Sequence, residues 1–238
     1  MPNEQSSVWI RLLAGALAVV VLSFIVSQIA SGEVIPPLLI QAVIFTALAY
    51  AVWRWQRRRW VLIVAIVLTV LGLAGGIPFM VEDLAHPESA WVFVPSSVVI
   101  IGLLVAIVSG GAALFRRSEA MARPLAIGAG ALAVVLVVVG VVATLGVSDD
   151  ARADGDTVIV AKKASYPSTV TVRAGDVGLY IENKDLIRHT FVIETADVKV
   201  ELPGSASRHL AVALKPGAYD FRCDVPGHDS MKGTLEVK

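Results

Sequence analysis

The chain has 238 residues, a mean hydropathy of +0.73 and only 17% charged residues, which is too apolar for an ordinary water-soluble protein. Twenty Lys and Arg balance twenty Asp and Glu, so no bulk positive charge draws the chain to nucleic acid. The charges are unevenly placed. Residues 1–148 hold 8 basic and 6 acidic side chains, and residues 149–238 hold 12 and 14. The first part therefore reads as a membrane unit and the second as a water-soluble one.

Five apolar stretches, about 9–29, 35–53, 60–80, 91–115 and 124–147, are long enough for the roughly 20 residues that a helix needs to cross a bilayer. Arg11 is the only charge inside them, near enough to an end to snorkel. Trp9, Trp53, Trp55, Trp60 and Trp91 all fall at span ends, where an interfacial aromatic belt would place them. The first span is too long for a signal peptide, and the residues after it make a poor cleavage site, so it reads as a retained anchor.

Loop charges give an orientation. Arg54, Arg57, Arg58 and Arg59 separate spans two and three, and Arg116, Arg117 and Arg123 separate spans four and five. The other two loops carry only acids: Glu33 in one, and Glu82, Asp83 and Glu88 in the other. The positive-inside rule then puts the N-terminus and both arginine-rich loops in the cytoplasm and everything after span five outside. Spans two to five contain no ionisable residue, which argues against an ion pump. Gly102, Ser109, Gly110 and Gly111 in span four and Ala126 and Gly130 in span five suit close helix packing. The resulting division is a five-span domain over 1–148, a polar linker over 149–156 and an outer domain over 157–238. As a flexible coil, the ten polar residues 147–156 would span roughly 17 Å.

From Thr157 the apolar period changes to two. Val198, Val200 and Leu202 alternate with Lys199 and Glu201, and Leu210, Val212 and Leu214 alternate with His209, Ala211 and Ala213. Pro, Gly, Asn and Asp turn signals separate the runs. Seven or eight short strands without a helical period predict a small all-β sandwich.

The outer domain holds the only cysteine of the chain, Cys223, with His228 five residues on and Met231 three beyond that. These three sit between a strand ending near Arg222 and another starting near Gly233. A second imidazole, His189, opens an earlier strand. Taken singly, each has an ordinary reading: a buried thiol, a loop histidine, a core methionine, a strand-end histidine. Together, two imidazoles, one thiolate and one thioether form the ligand set of a blue-copper electron-transfer site. The remaining outer histidine, His209, sits on the polar face of its strand and reads as solvent-facing. Related chemistries lack their residues. A binuclear copper centre needs two cysteines, c-type haem needs a Cys-x-x-Cys-His motif, and b-type haem needs histidines inside the spans. The acidic group Glu82, Asp83, His86 and Glu88 reads as a solvated outer loop.

Two segments carry a family resemblance: Glu182-Asn-Lys-Asp-Leu-Ile-Arg-His189-Thr-Phe, and Lys215-Pro-Gly-Ala-Tyr-Asp-Phe-Arg-Cys223-Asp-Val-Pro-Gly-His228 with Met231-Lys-Gly-Thr-Leu. Residues 157–238 resemble a cupredoxin of the plastocyanin, azurin and halocyanin kind. The resemblance implies one mononuclear type 1 copper with His189, Cys223 and His228 equatorial and Met231 axial. It places the Arg188 carbonyl near a second axial position and makes Val225 and Pro226 an apolar docking patch beside His228, through which electrons would pass. Thr190 stands where plastocyanin and azurin carry Asn, and its hydroxyl is a candidate to lock the ligand loop. Asp229 and Ser230 alone separate His228 from Met231, a short spacing like that of amicyanin-like loops.

The expected function is that of a membrane-tethered electron carrier rather than an enzyme. It would exchange single electrons with a redox protein or respiratory complex at the outer face of a plasma membrane, in a prokaryote. Two other readings compete: copper delivery or sensing, and a structural or assembly role in a membrane complex.

Overall fold

The computed structural model describes residues 7–32, 34–56 and 58–238. Glu33 and Arg57, both counted among the loop charges, lie outside the described residues. The chain divides into two compact units, one helical and one built on β-strands.

Five helices come first in the chain: α1 (Val8–Ser31), α2 (Pro36–Arg54), α3 (Arg59–Leu84), α4 (Ala90–Leu114) and α5 (Ala122–Leu145). All five are long and apolar enough to cross a membrane. Pro36 sits at the start of α2, where its missing N–H is no loss. The bundle core repeats at helical spacing: Leu13, Leu17, Val20 and Phe24 on α1, Phe45, Leu48 and Val52 on α2, and Val99, Leu103 and Ala106 on α4. Small residues let backbones approach. A Cβ on Gly102 would lie 2.7 Å from Val20 Cγ2, and one on Gly110 would lie 2.8 Å from Ile66 Cγ1. Gly111 and Gly130, expected to act the same way, face open space.

One further detail differs from expectation. Helix α3 runs on to Leu84 and takes Glu82 and Asp83 into its last turn; Asp83 Oδ2 there accepts a hydrogen bond from Ser96 Oγ of α4 at 2.5 Å. A carboxylate that finds a hydroxyl on the next helix can end a span instead of starting a loop. At the start of α1, Trp9 is buried and its indole N–H reaches the Ser118 carbonyl at 3.2 Å, whereas Trp53, Trp55, Trp60 and Trp91 are exposed.

The second unit holds eight strands: β1 (Thr157–Ala161), β2 (Thr169–Val172), β3 (Gly175–Asn183), β4 (His189–Ile193), β5 (Val198–Leu202), β6 (Ser207–Leu214), β7 (Gly217–Arg222) and β8 (Lys232–Val237). They form two sheets, ordered β1-β3-β6 and β2-β8-β7-β4-β5. The β1–β3 and β2–β8 pairs are parallel and the rest antiparallel. In β3 every second residue from Val177 faces inward, as a strand with one buried face requires. All five residues of β4 are buried, because this strand lies between β7 and β5 and is covered on both faces. The core gathers Ile159, Leu179, Ile181, Phe191, Phe221 and Leu235.

The stretch expected to be a flexible coil is tied down. Asp149 Oδ1 accepts from Ser207 N at 2.7 Å, Asp150 Oδ2 accepts from His209 N at 3.0 Å, and Arg208 donates to the Ser148 carbonyl at 2.8 Å. Strand β6 is the edge of its sheet, and these carboxylates satisfy amides that an open edge would leave exposed. His209 is also engaged rather than purely solvent-facing, with Nε2 3.3 Å from the buried Asp156 carboxylate.

Candidate metal centre

Three donor atoms converge at one end of the β-unit. His189 Nδ1 lies 3.2 Å from His228 Nδ1, and Cys223 Sγ lies 3.5 Å from the same His228 nitrogen. Ligand atoms of His189, Cys223 and His228 all fall within 4.8 Å of one another, and among the described residues this is the one such group that could hold a metal. His189 and Cys223 are buried, and His228 is half-buried.

Local backbone chemistry brings them together. After β7, Cys223 N donates to the Met231 carbonyl at 2.9 Å, and Met231 N donates to the His228 carbonyl at 2.8 Å. Between them His228 N donates to the Val225 carbonyl at 3.1 Å, and Gly227 takes a φ of +91° that a side chain would resist. The loop 223–231 is thus closed at its base and turned at Pro226 and Gly227. Met231 is fully buried immediately before β8, in the same apolar cluster as Cys223. Val225 packs partly against that cluster and Pro226 is exposed.

The other imidazole is positioned by a loop that the sequence marks only as a turn. Asn183 is buried. Its Nδ2 donates to the carbonyls of Ile187, Leu202 and Pro203, and its Oδ1 accepts from Asp185 N at 2.9 Å. Asp185 then does two things. Its carboxylate accepts the amides of Lys163 and Ala164 at 2.7 and 2.9 Å, and it holds His189 Nε2 at 2.8 Å. A proton on Nε2 facing that carboxylate leaves the Nδ1 lone pair free to bind a metal. Burial alone would raise the Asp185 pKa, but hydrogen bonds from Ala164, Lys163 and His189 outweigh it and hold the carboxyl below its ordinary value. The pKa of His228 is pushed down to about 4, first by burial and then by the charges of His189 and Arg188. Its ring is therefore neutral at neutral pH, as a metal ligand must be.

Thr190 engages the thiol. Its backbone N–H points at Cys223 Sγ at 3.4 Å. Its hydroxyl accepts from Asp224 N at 2.8 Å and lies 2.7 Å from Asp224 Oδ1, which ties β4 to the start of the 223–231 loop. Asp224 is held in turn by Lys199 Nζ at 2.9 Å. Burial would raise its pKa, yet the hydrogen bonds from Thr190 and Lys199 carry it below the usual carboxylate value. The Tyr166 phenol donates to the Thr190 carbonyl at 2.6 Å and packs edge-on to Phe191 and Phe221. Its pKa is raised, mainly by burial and then by the charge of Cys223. Arg188 is buried, with its guanidinium 3.3 Å from Glu201 Oε2. Asp185, Asp224 and Tyr166 were not singled out by the sequence. Asp185 had a faint signal, an acid four residues ahead of a candidate ligand.

Residues 132–237 match the family model described as a Cupredoxin-like domain. The C-terminal unit is a cupredoxin-like domain. Among solved structures, a reduced amicyanin mutant is similar at 20% identity and a TM-score of 0.31, covering 36% of this chain and 85% of that one. A Cu(I) form of another amicyanin mutant matches at 21% identity and 0.30, with the same coverage. Amicyanin from Paracoccus versutus matches at 19% identity and 0.31, covering 36% and 84%. No curated protein matches the chain.

The donor set of the cupredoxin-like domain fits a metal of mixed preference. Two imidazole nitrogens and a sulfur meet at one point, and a thioether lies buried close by in the chain. That combination suits copper, whose oxidised form favours nitrogen and whose reduced form favours soft sulfur.

Proposed function

We propose that this chain is a membrane-tethered blue-copper protein that passes single electrons between redox partners at the outer face of the membrane. The observation that carries the reading is the convergence of His189 Nδ1, Cys223 Sγ and His228 Nδ1 within 4.8 Å. His189, Cys223 and His228 would hold one type 1 copper, with Met231 as the weak fourth donor. The bound ion would supply the one-electron Cu(II)/Cu(I) couple.

The residues of this chain perform the rest. Asp185 fixes the His189 ring through Nε2. The Thr190 amide donates toward the Cys223 sulfur. The fully buried Met231 and Phe221 would exclude water from the site, and the backbone bonds at the base of the loop would keep its shape in both oxidation states. A site that barely moves on reduction transfers electrons with little reorganisation. His228 alone reaches toward solvent, so its ring edge is the port, flanked by Val225 and the exposed Pro226 as the docking surface. Burial of the other donors disfavours ready release of copper to a chaperone.

The division into a membrane domain over 1–148, a connector over 149–156 and a copper domain over 157–238 completes the proposal. The arginine-rich loops and N-terminus would lie in the cytoplasm, and the copper domain outside. The five spans would hold the carrier beside a redox protein or respiratory complex.

The visible spectrum of the detergent-purified full-length chain with one equivalent of Cu(II) tests the reading. An intense thiolate-to-copper band, bleached by mild reductant and restored by oxidant, is expected; Cys223→Ser should abolish it. A colourless wild-type product, or a band that survives the substitution, refutes the assignment.

A further inference from the structure

The Thr190 hydroxyl has one proton and two acceptors within reach. Its oxygen lies 2.7 Å from Asp224 Oδ1 and 3.6 Å from Cys223 Sγ. The same oxygen accepts the Asp224 amide at 2.8 Å, so one of its two acceptor positions is already used. A hydroxyl cannot donate fully to both remaining neighbours. The separation of 2.7 Å is that of a charge-assisted O–H···O bond, whereas 3.6 Å to sulfur is long. Lys199 Nζ sits 2.9 Å from the other oxygen of Asp224 and keeps Oδ1 turned toward the hydroxyl. Beside His228 Nδ1, at 3.5 Å and on the side a metal would take, the sulfur keeps the Thr190 amide, at 3.4 Å.

We propose that Asp224 is a positioning residue that withholds the Thr190 hydroxyl from the Cys223 sulfur and thereby lowers the reduction potential of the site. The inference rests on the copper reading above. A hydrogen bond to a ligating thiolate draws electron density from sulfur, weakens its donation to the metal and favours the reduced state; hydrogen bonding around the cysteine sulfur is one of the levers on such potentials. By capturing the hydroxyl proton, Asp224 removes one such bond and favours the oxidised state. The position after the cysteine then sets the potential through a side chain that never touches the metal.

A double-substitution cycle separates this effect from the charge of Asp224. Copper-loaded full-length chain would be prepared as wild type, Asp224→Ala, Asp224→Asn, Thr190→Val, and Thr190→Val with Asp224→Ala. In the presence of Thr190, Asp224→Ala should shift the Cu(I) to Cu(II) ratio at fixed poise toward Cu(I) by about tenfold more than it does in the Thr190→Val background; tenfold is about 59 mV for one electron. The thiolate-to-copper band should move to higher energy in Asp224→Ala only when the hydroxyl is present. Asp224→Asn, whose amide oxygen still accepts the hydroxyl, should keep the wild-type band position. Equal shifts in the two backgrounds would assign the whole effect to charge and overturn the inference. Should Thr190→Val not fold, identical band energies in Asp224→Ala and Asp224→Asn overturn it equally well. A wild-type chain with no thiolate-to-copper band refutes the copper reading itself, and this inference with it.

Discussion

The two loops that supply the donors are built on opposite plans. The upstream loop, 183–189, is fastened from inside. Asn183 grips three carbonyls, Asp185 grips two amides and an imidazole, and His189 emerges fully buried. The downstream loop, 223–231, is fastened near its base, by backbone bonds among Cys223, Met231, His228 and Val225 and by the grip of Thr190 and Lys199 on Asp224. Its tip, from Pro226 to Ser230, stays at the surface apart from the half-buried His228. In the proposed function, one loop would fix where a metal sits, and the other would bring a ligand edge to where a partner can reach it. An electron carrier needs both, because rigidity without an exposed edge insulates the site and exposure without rigidity makes reduction slow.

Removing the grip of the upstream loop gives the largest effect. Two N–H groups of Asn183 are shared among the carbonyls of Ile187, Leu202 and Pro203, at 2.9, 3.1 and 3.0 Å. Asn183→Ala leaves these carbonyls buried without that donor and frees the Asp185 amide from Oδ1. The cost is at least about 3 kcal/mol, enough to unfold a marginal domain. Urea unfolding followed by near-ultraviolet circular dichroism measures it. A loss below about 1 kcal/mol would show that the upstream loop is held by packing instead, and the contrast between the loops would collapse.

Acid reads the downstream loop. In the metal-free chain His228 has a pKa near 4, against an ordinary 6.5. As pH falls, the unfolded chain takes up the proton first, so it binds more protons than the folded chain between those two values. Stability is therefore complete above about pH 6.5, is lost as pH falls toward 4, and loses nothing further from this group below that. The depression corresponds to on the order of 3 kcal/mol. Denaturant titrations at pH 7, 5.5 and 4 should show the decline, and His228→Gln should flatten it. An equally steep decline in His228→Gln would place the acid sensitivity elsewhere.

The contrast between the loops was only half visible in the sequence. Cys223, His228 and Met231 stand out because scarce residue types recur at short spacing between two strand signals, and a loop that short must bring them together whatever the rest of the domain does. The strand containing His189 was also legible, since β4 to β8 alternate or run apolar as strands do. What holds His189 was not. Asp185 meets Lys163 and Ala164 from 22 and 21 residues away, and no local periodicity announces such a meeting. The pairing of Thr190 with Asp224 spans 34 residues and depends on β4 lying beside β7. Asp83 misled for the same reason: it looks like a loop residue until Ser96 of the next helix is found opposite it.

The smallest expected effect is the one that best separates position from mere folding. Asp185→Asn keeps the size of the side chain and one acceptor oxygen but cannot satisfy the Lys163 amide, the Ala164 amide and the His189 Nε2–H together, as the carboxylate does. The imidazole loses the charged partner that selects its tautomer, while the Asn183 scaffold stays intact. Losing such an outer partner weakens metal binding by roughly 10–100-fold. Competition for copper against a chelator should show that loss with little change in urea midpoint, and Asp185→Glu should recover part of the affinity. Unchanged affinity in Asp185→Asn would mean that Nδ1 of His189 is presented by burial in β4 alone. The upstream loop would then be rigid without being selective, and the division of labour between the two loops would rest on the exposure of His228.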